Sequence, residues 1–128
     1  MLADHPAHAT LPASDLTRAR AFYENVLGFE PQAVMPDRVI YGAGGGTTFL
    51  VFRSAGRAAG SHTQVGFTVT DLDAQVHRLK ERGVRFEAYD VPGFDPRTSI
   101  ATNGPSRSAW FRDTEGNVIG LVSLGARA

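Results

Sequence analysis

Two stretches of this chain can be laid over each other from helix cap to helix stop. Ser14-Asp15-Leu16 matches Thr70-Asp71-Leu72, and Leu27-Gly28-Phe29 falls near Gly83-Val84-Arg85 with a one-residue gap. The period is close to half of the 128 residues. Such a repeat implies two copies of one supersecondary unit that bury their apolar faces by coming together. A chain of this length holds one domain, or two very small halves sharing a core. The predicted organisation is a single domain over 1–128, with a first half over about 5–53 and a second over about 62–124. Residues 54–61, small and rich in glycine and alanine, form the joint.

Each half reads as a strand, a helix and then further strands. In the first, Ala7 to Leu11 is a short strand and Asp15 caps a helix. Leu16, Ala19, Tyr23, Val26 and Leu27 recur on it at helical spacing, and Gly28 stops it. Phe29 to Met35 is extended. Arg38 to Tyr41 and Thr47 to Phe52 are strands around the turn Gly44-Gly45-Gly46. In the second half, Gln64 to Val69 alternates, with Val65, Phe67 and Val69 on one face. Asp71 caps a helix that buries Leu72, Val76 and Leu79 and ends at Gly83. Arg85 to Tyr89 is a strand. Ser106 to Arg112 and Val118 to Ser123 form a hairpin around 113–117. The fold class is α+β: two βαβββ repeats whose curved sheets enclose a cavity.

Charge and composition remove several functions. Thirteen Lys and Arg balance thirteen Asp and Glu, so the basic surface that nucleic acid requires is missing. With no cysteine, disulfides, thiolate nucleophiles and cysteine-ligated zinc are excluded. No apolar run reaches the roughly 20 residues of a membrane span, and no signal peptide is visible at the N-terminus. The expectation is a cytoplasmic protein with neither nucleic acid nor membrane as partner.

Three stretches carry a resemblance. They are the run from His8 through Asp15, Phe22-Tyr23 and Leu27-Gly28-Phe29, the segment Val65-Gly-Phe-Thr-Val-Thr-Asp71-Leu-Asp, and Trp110-Phe-Arg-Asp113-Thr-Glu-Gly116-Asn117. Together they resemble the vicinal oxygen chelate superfamily of glyoxalase I, bleomycin-resistance proteins and extradiol dioxygenases. The resemblance implies paired βαβββ units, usually a homodimer, and a ligand site in each curved sheet. Metal enzymes of that family draw ligands from the first and last strands of each half. Those places resemble His8, Phe49, Gln64 and Gly120 here. His and Gln can bind a divalent metal, Phe and Gly cannot, and a catalytic metal needs about three protein ligands. Neither Thr47 to Phe52 nor Val118 to Leu124 offers a carboxylate, imidazole or amide, so a one-residue register error does not restore the set. No metal and no cofactor are expected.

Alternation then selects an inner face once one residue per strand is fixed. It collects His8, Thr10, Phe49, Val51, Gln64, Gly66 and Thr68, then Ser108, Trp110 and Arg112 opposite Val118, Gly120 and Val122. Symmetric closure of 113–117 would set Trp110 across from Gly120, leaving open space beside the indole. Ala109 and Phe111 then share the opposite, core face. Arg112 could hold a carboxylate or phosphate, or stand as a solvated charge. Asp90 to Pro105 is long for a connection, and its Val91, Phe94 and Ile100 need something to cover. A lid over the cavity, with Phe94 reaching the ligand, and a dimer contact are the two readings.

The leading functional reading is metal-independent binding or sequestration of a small, mostly neutral, aromatic molecule, of the drug-resistance kind. Second is a metal-free isomerase or lyase with His8 as its candidate catalytic group, a general base. Third is a structural dimer whose cavity is vestigial. Ser108 with His8 is a weak nucleophile–base signal. Gly42 to Gly46 lacks the lysine of a phosphate loop.

Overall fold

The computed structural model describes residues 1–55, 60 and 62–124. The chain divides into two compact units, Met1–Ala58 and Ala59–Ala128. Of the joint expected over 54–61, residues 56–59 and 61 lie outside the described residues.

In the first unit, β1 (Ala9–Ala13) leads into α1 (Leu16–Ala21), followed by β2 (Pro31–Met35), β3 (Arg38–Gly42) and β4 (Thr48–Arg53). The sheet order is β1-β4-β3-β2, with β1 parallel to β4 and the other pairs antiparallel. Pro12 is tolerated because β1 is the edge strand of this sheet, where a missing N–H need not break a ladder. The second unit repeats the plan. β5 (Thr63–Thr68) leads into α2 (Leu72–Glu81), then β6 (Phe94–Asp95), β7 (Ile100–Asn103), β8 (Ser106–Arg112) and β9 (Val118–Leu124). Its order is β5-β9-β8-β7-β6, and β5 runs parallel to β9. The architecture is thus the mixed α+β arrangement expected, with β6 as an extra strand of two residues.

The caps form as the residue types dictate. Asp15 accepts from the Arg18 amide and Asp71 from the Ala74 amide, each at 3.0 Å. Gly28 and Gly83 take φ of 84° and 90° at the helix ends. Val84 N–H donates to the Leu79 carbonyl, while Phe29 N–H donates to Tyr23, one residue further back along its helix. The difference has a local cause. Phe22–Val26 continues α1 as a π-helical stretch, which absorbs one additional residue. That is the one-residue gap between the repeats in the sequence.

The helix-covered face of each sheet is the core. In the first unit Tyr23 stacks on Tyr41 with centroids 5.7 Å apart, and Phe49 meets Phe29 at 5.0 Å. Leu11, Ala19, Val39 and Val51 complete the layer. In the second, Phe111 packs edge-on to Phe86 at 5.5 Å, among Leu72, Val76, Ile100, Ile119 and Leu121.

Two expectations change here. Arg85 to Tyr89 forms no ladder, only the bridge Phe86↔Phe111 with a 2.7 Å bond from Glu87 N–H to the Trp110 carbonyl. Asp90 to Pro105 is not a structureless connection: it supplies β6 and β7, and Ile100 is buried in the core. No helix among the described residues is long and apolar enough to cross a membrane.

Candidate small-molecule site

Strand pairing fixes which residues share a face. In the second unit Trp110 lies opposite Gly120, Ser108 opposite Val122, and Arg112 opposite Val118. Gly66 and Thr68 of β5 pair with Gly120 and Val122, while Ala101 and Phe94 extend the row through Ser108. Residues directly opposite in register present their side chains to the same side. The uncovered face of this sheet therefore carries Thr68, Phe94, Ser108, Trp110, Arg112 and Gly120 together. Ala109 and Phe111 point the other way and are buried, as the alternation predicts.

A β-bulge alters the entry to β5. Thr63 pairs with Val118 and Val65 with Ile119, so Gln64 is the extra residue of a two-against-one irregularity. Thr63, which the alternation does not place inward, stands beside Gly120 instead. A Cβ on Gly120 would lie 3.1 Å from Thr63 Cγ2, 3.3 Å from Trp110 Cδ1 and 3.4 Å from Trp110 Nε1. The space beside the indole is consequently not open. The indole itself lies over Gly120, which is buried, and the missing side chain serves as the seat of the ring.

Tyr89 braces the other side of this arrangement. Its ring meets Trp110 edge-on, at 5.2 Å and 86°, and touches Phe94 at 6.5 Å and 81°. Such perpendicular pairs are a favoured aromatic geometry. Burial, with the nearby Glu87 charge second, pushes the Tyr89 phenol above its ordinary pKa. Beside Trp110 opens a groove of ≈ 530 Å³, walled by Val91 to Gly93 on one side and Ala101 to Gly104 on the other. Among the described residues that line it, none carries a charge. Gly93 makes the wall possible. Its φ is 84°, its carbonyl accepts from Thr102 N–H at 3.0 Å, and a Cβ there would run into the Thr102 carbonyl oxygen.

Arg112 shares the face but is not an open anion anchor. Its Nε donates to Glu87 Oε1 and its Nη1 to the Gly116 carbonyl, each at 2.9 Å, with Gly60 O at 3.5 Å. The charge is matched locally by the carboxylate. The adjoining turn is fixed by Asp113, whose Oδ1 accepts from the Glu115 and Asn117 amides at 2.9 Å.

The first unit requires a larger correction. Thr10 pairs with Leu50, whereas Phe49 and Val51 pair with Ala9 and Leu11. Phe49 and Val51 are therefore on the helix-covered face, 2% and 1% exposed, and line no open surface. The uncovered face there carries Thr10, Leu50 and Ile40. His8 lies just before β1 and is exposed. On the helix side of this unit the sequence reading missed one cluster. Arg20 grips Glu24 through Nε at 2.7 Å and Nη2 at 3.3 Å, and Tyr41 OH donates to the same carboxylate at 2.9 Å. These bonds, Arg20 first, hold the Glu24 carboxyl below its usual pKa, and burial pushes the Tyr41 phenol up.

Tyr89, Thr63 and the Val91–Gly93 wall were also not singled out as site residues. For Tyr89 a signal existed. Placing Phe86 in the core by alternation would have put Glu87 and Tyr89 on the face of Trp110 and Arg112.

The donor set does not fit a divalent-metal centre. At the strand positions concerned the side chains are His8, Thr10 and Leu50 in one unit, and Thr63, Gln64 and Gly120 in the other. Among the described residues no group of three or more His, Asp or Glu could hold a metal ion.

Similarity to known proteins agrees with this architecture. Residues 5–121 match the family model described as Glyoxalase/Bleomycin resistance protein/Dioxygenase superfamily. TnmS3, an antibiotic binding protein from Streptomyces sp. CB03234, superposes with a TM-score of 0.72 at 27% identity, covering 94% of this chain and 96% of that one. A glyoxalase/bleomycin resistance protein from the same organism gives 0.67 at 28% identity, with 91% and 98% covered. The fosfomycin resistance protein FosX from Listeria monocytogenes gives 0.67 at 19%, with 93% and 92% covered, a likeness of fold alone. No curated protein sequence matches the chain. With the family model spanning nearly the whole sequence and two sheets of the matching topology, this chain belongs to the glyoxalase/bleomycin resistance protein/dioxygenase superfamily.

Proposed function

We propose that this protein binds and sequesters a small, mostly neutral, aromatic molecule without the help of a metal. The site is the uncovered face of the second sheet, with Trp110 as its stacking surface. One observation carries the reading: the groove beside Trp110 is lined by apolar and neutral polar residues, while Arg112, the nearby cation, is matched by Glu87. Its ≈ 530 Å³ lies within the roughly 300–1,000 Å³ of small-molecule sites. Asn103 and Thr102 offer neutral hydrogen-bonding groups at the rim. The likeness to an antibiotic binding protein at 27% identity supports sequestration rather than turnover. The protein acts in the cytoplasm as a homodimer.

Mass spectrometry of the molecule released when the native protein is denatured tests this. An aromatic, uncharged compound, retained by the wild type and lost from Trp110→Ala, is the expected result. Release of a charged aliphatic metabolite, held equally by the variant, would overturn the assignment.

A further inference from the structure

We infer that Arg112 is a positioning residue for the aromatic site, acting through Glu87 and Tyr89 on Trp110. This rests on the binding reading above. Beyond Phe86, which packs on Phe111, the segment up to Val91 has few bonds to hold it to the sheet. Its ladder with β8 is one bridge, Phe86↔Phe111, plus the 2.7 Å bond from Glu87 N–H to the Trp110 carbonyl. Tyr89 nevertheless stands perpendicular to the indole, two residues beyond Glu87. The Arg112–Glu87 pair is the side-chain tether at that place, 2.9 Å long with both side chains about a third exposed.

The arginine is suited to the task. Its planar fork reaches the carboxylate through Nε while Nη1 bonds the Gly116 carbonyl of the β8–β9 turn. The tether is thereby anchored on β8 and on the turn that Asp113 fixes. Remove it, and the Glu87–Tyr89 stretch retains one main-chain bond and the edge-on contacts of Tyr89 with Trp110 and Phe94, so the Tyr89 ring holds its angle less firmly. The indole is then braced mainly on the Gly120 side, and a stacked ligand has to order both rings when it binds. Ordering costs of that kind subtract from affinity. Arg112 thus governs affinity for an uncharged ligand without touching it.

A double-mutant cycle tests this, with the neutral planar compound 1,8-naphthalimide as probe and calorimetry as readout. Glu87→Ala is the first variant, because it removes the carboxylate that accepts from Arg112 Nε and leaves the bonds of Arg112 to Gly116 and Gly60. Arg112→Met is the second. Each is expected to weaken probe binding about three- to tenfold, as is Tyr89→Leu. In the Tyr89→Leu background, Glu87→Ala should change affinity less than about twofold, because the tether then holds nothing the ligand senses. In the free protein, Glu87→Ala should reduce the near-ultraviolet circular dichroism of the Tyr89–Trp110 pair, a signal independent of any ligand. Multiplying losses in the double variant, or unchanged affinity in Glu87→Ala, would overturn the inference. If wild-type protein does not bind the probe while Glu87→Ala still lowers the dichroism, the binding reading fails and the tether stands.

Discussion

Replacing Gly120 by alanine puts a methyl group where the Trp110 indole lies. The added Cβ would sit 3.1 Å from Thr63 Cγ2 and 3.3–3.4 Å from two indole atoms, closer than ordinary van der Waals contact. Overpacking of this kind costs about 1–3 kcal/mol where neighbours cannot yield. The indole is partly exposed and can tilt outward by a few tenths of an ångström, so the lower end applies. Alanine also recovers about 0.5–1 kcal/mol through the reduced freedom of the unfolded chain. The two effects nearly cancel, and Gly120→Ala should unfold in urea within about 1 kcal/mol of wild type. Binding should not be spared. Aromatic stacking contributes about 0.5–1.5 kcal/mol beyond area burial, so a tilted indole should weaken a planar ligand by about two- to tenfold. Gly120→Leu cannot be accommodated by a tilt and should lose both stability, by about 1–3 kcal/mol, and binding. Trp110 is the sole tryptophan, so its emission reports the displacement directly. A Gly120→Ala protein with unchanged emission and unchanged affinity for 1,8-naphthalimide would refute the seat and the site built on it.

Other outcomes follow from the first unit and the turns. Glu24 has its folded pKa depressed from 4.5 by Arg20, so the pair contributes stability above that value and loses it as pH falls through the folded pKa. Urea midpoints should drop for wild type below about pH 4.5 and drop less for Glu24→Gln, which starts lower at pH 7. Ser99 adopts φ 65°, a left-handed conformation costing a non-glycine residue about 1–2 kcal/mol. Ser99→Gly should therefore raise stability by up to about 1 kcal/mol after the entropy of glycine is subtracted, and a lower midpoint would contradict the strain. Sedimentation at micromolar concentration should give a homodimer, and a species of monomer mass alone would count against it.

Much of the fold could be read because its signals were local. Asp15 and Asp71 lie at caps, Gly28 and Gly83 at stops, and the turn 113–117 fixes the β8–β9 register, including Trp110 against Gly120. The alternation of Val65 and Phe67 likewise marked a face. β4 gave no such signal, since Phe49 and Val51 alternate with Leu50 and Phe52 and either face could be the core. Packing against Tyr23 and Tyr41, distant in sequence, decided it. The bulge at Gln64 adds one residue that no periodicity announces, and it moved Thr63 to the indole. Asp90 to Pro105 looked like a loop because Pro92-Gly93, Asp95 and Gly104-Pro105 are turn formers. They frame strands too short to show a period. The partner of Arg112 was hidden because Glu87 is 25 residues away.

Titration of EDTA-treated protein with 1,8-naphthalimide, compared between wild type and Trp110→Ala, bears most directly on metal-independent aromatic binding. The expected result is the same wild-type affinity with and without EDTA, and a loss of about two- to tenfold in the variant. Binding that disappears with EDTA and returns with a divalent metal, or that is equal in Trp110→Ala, would contradict it.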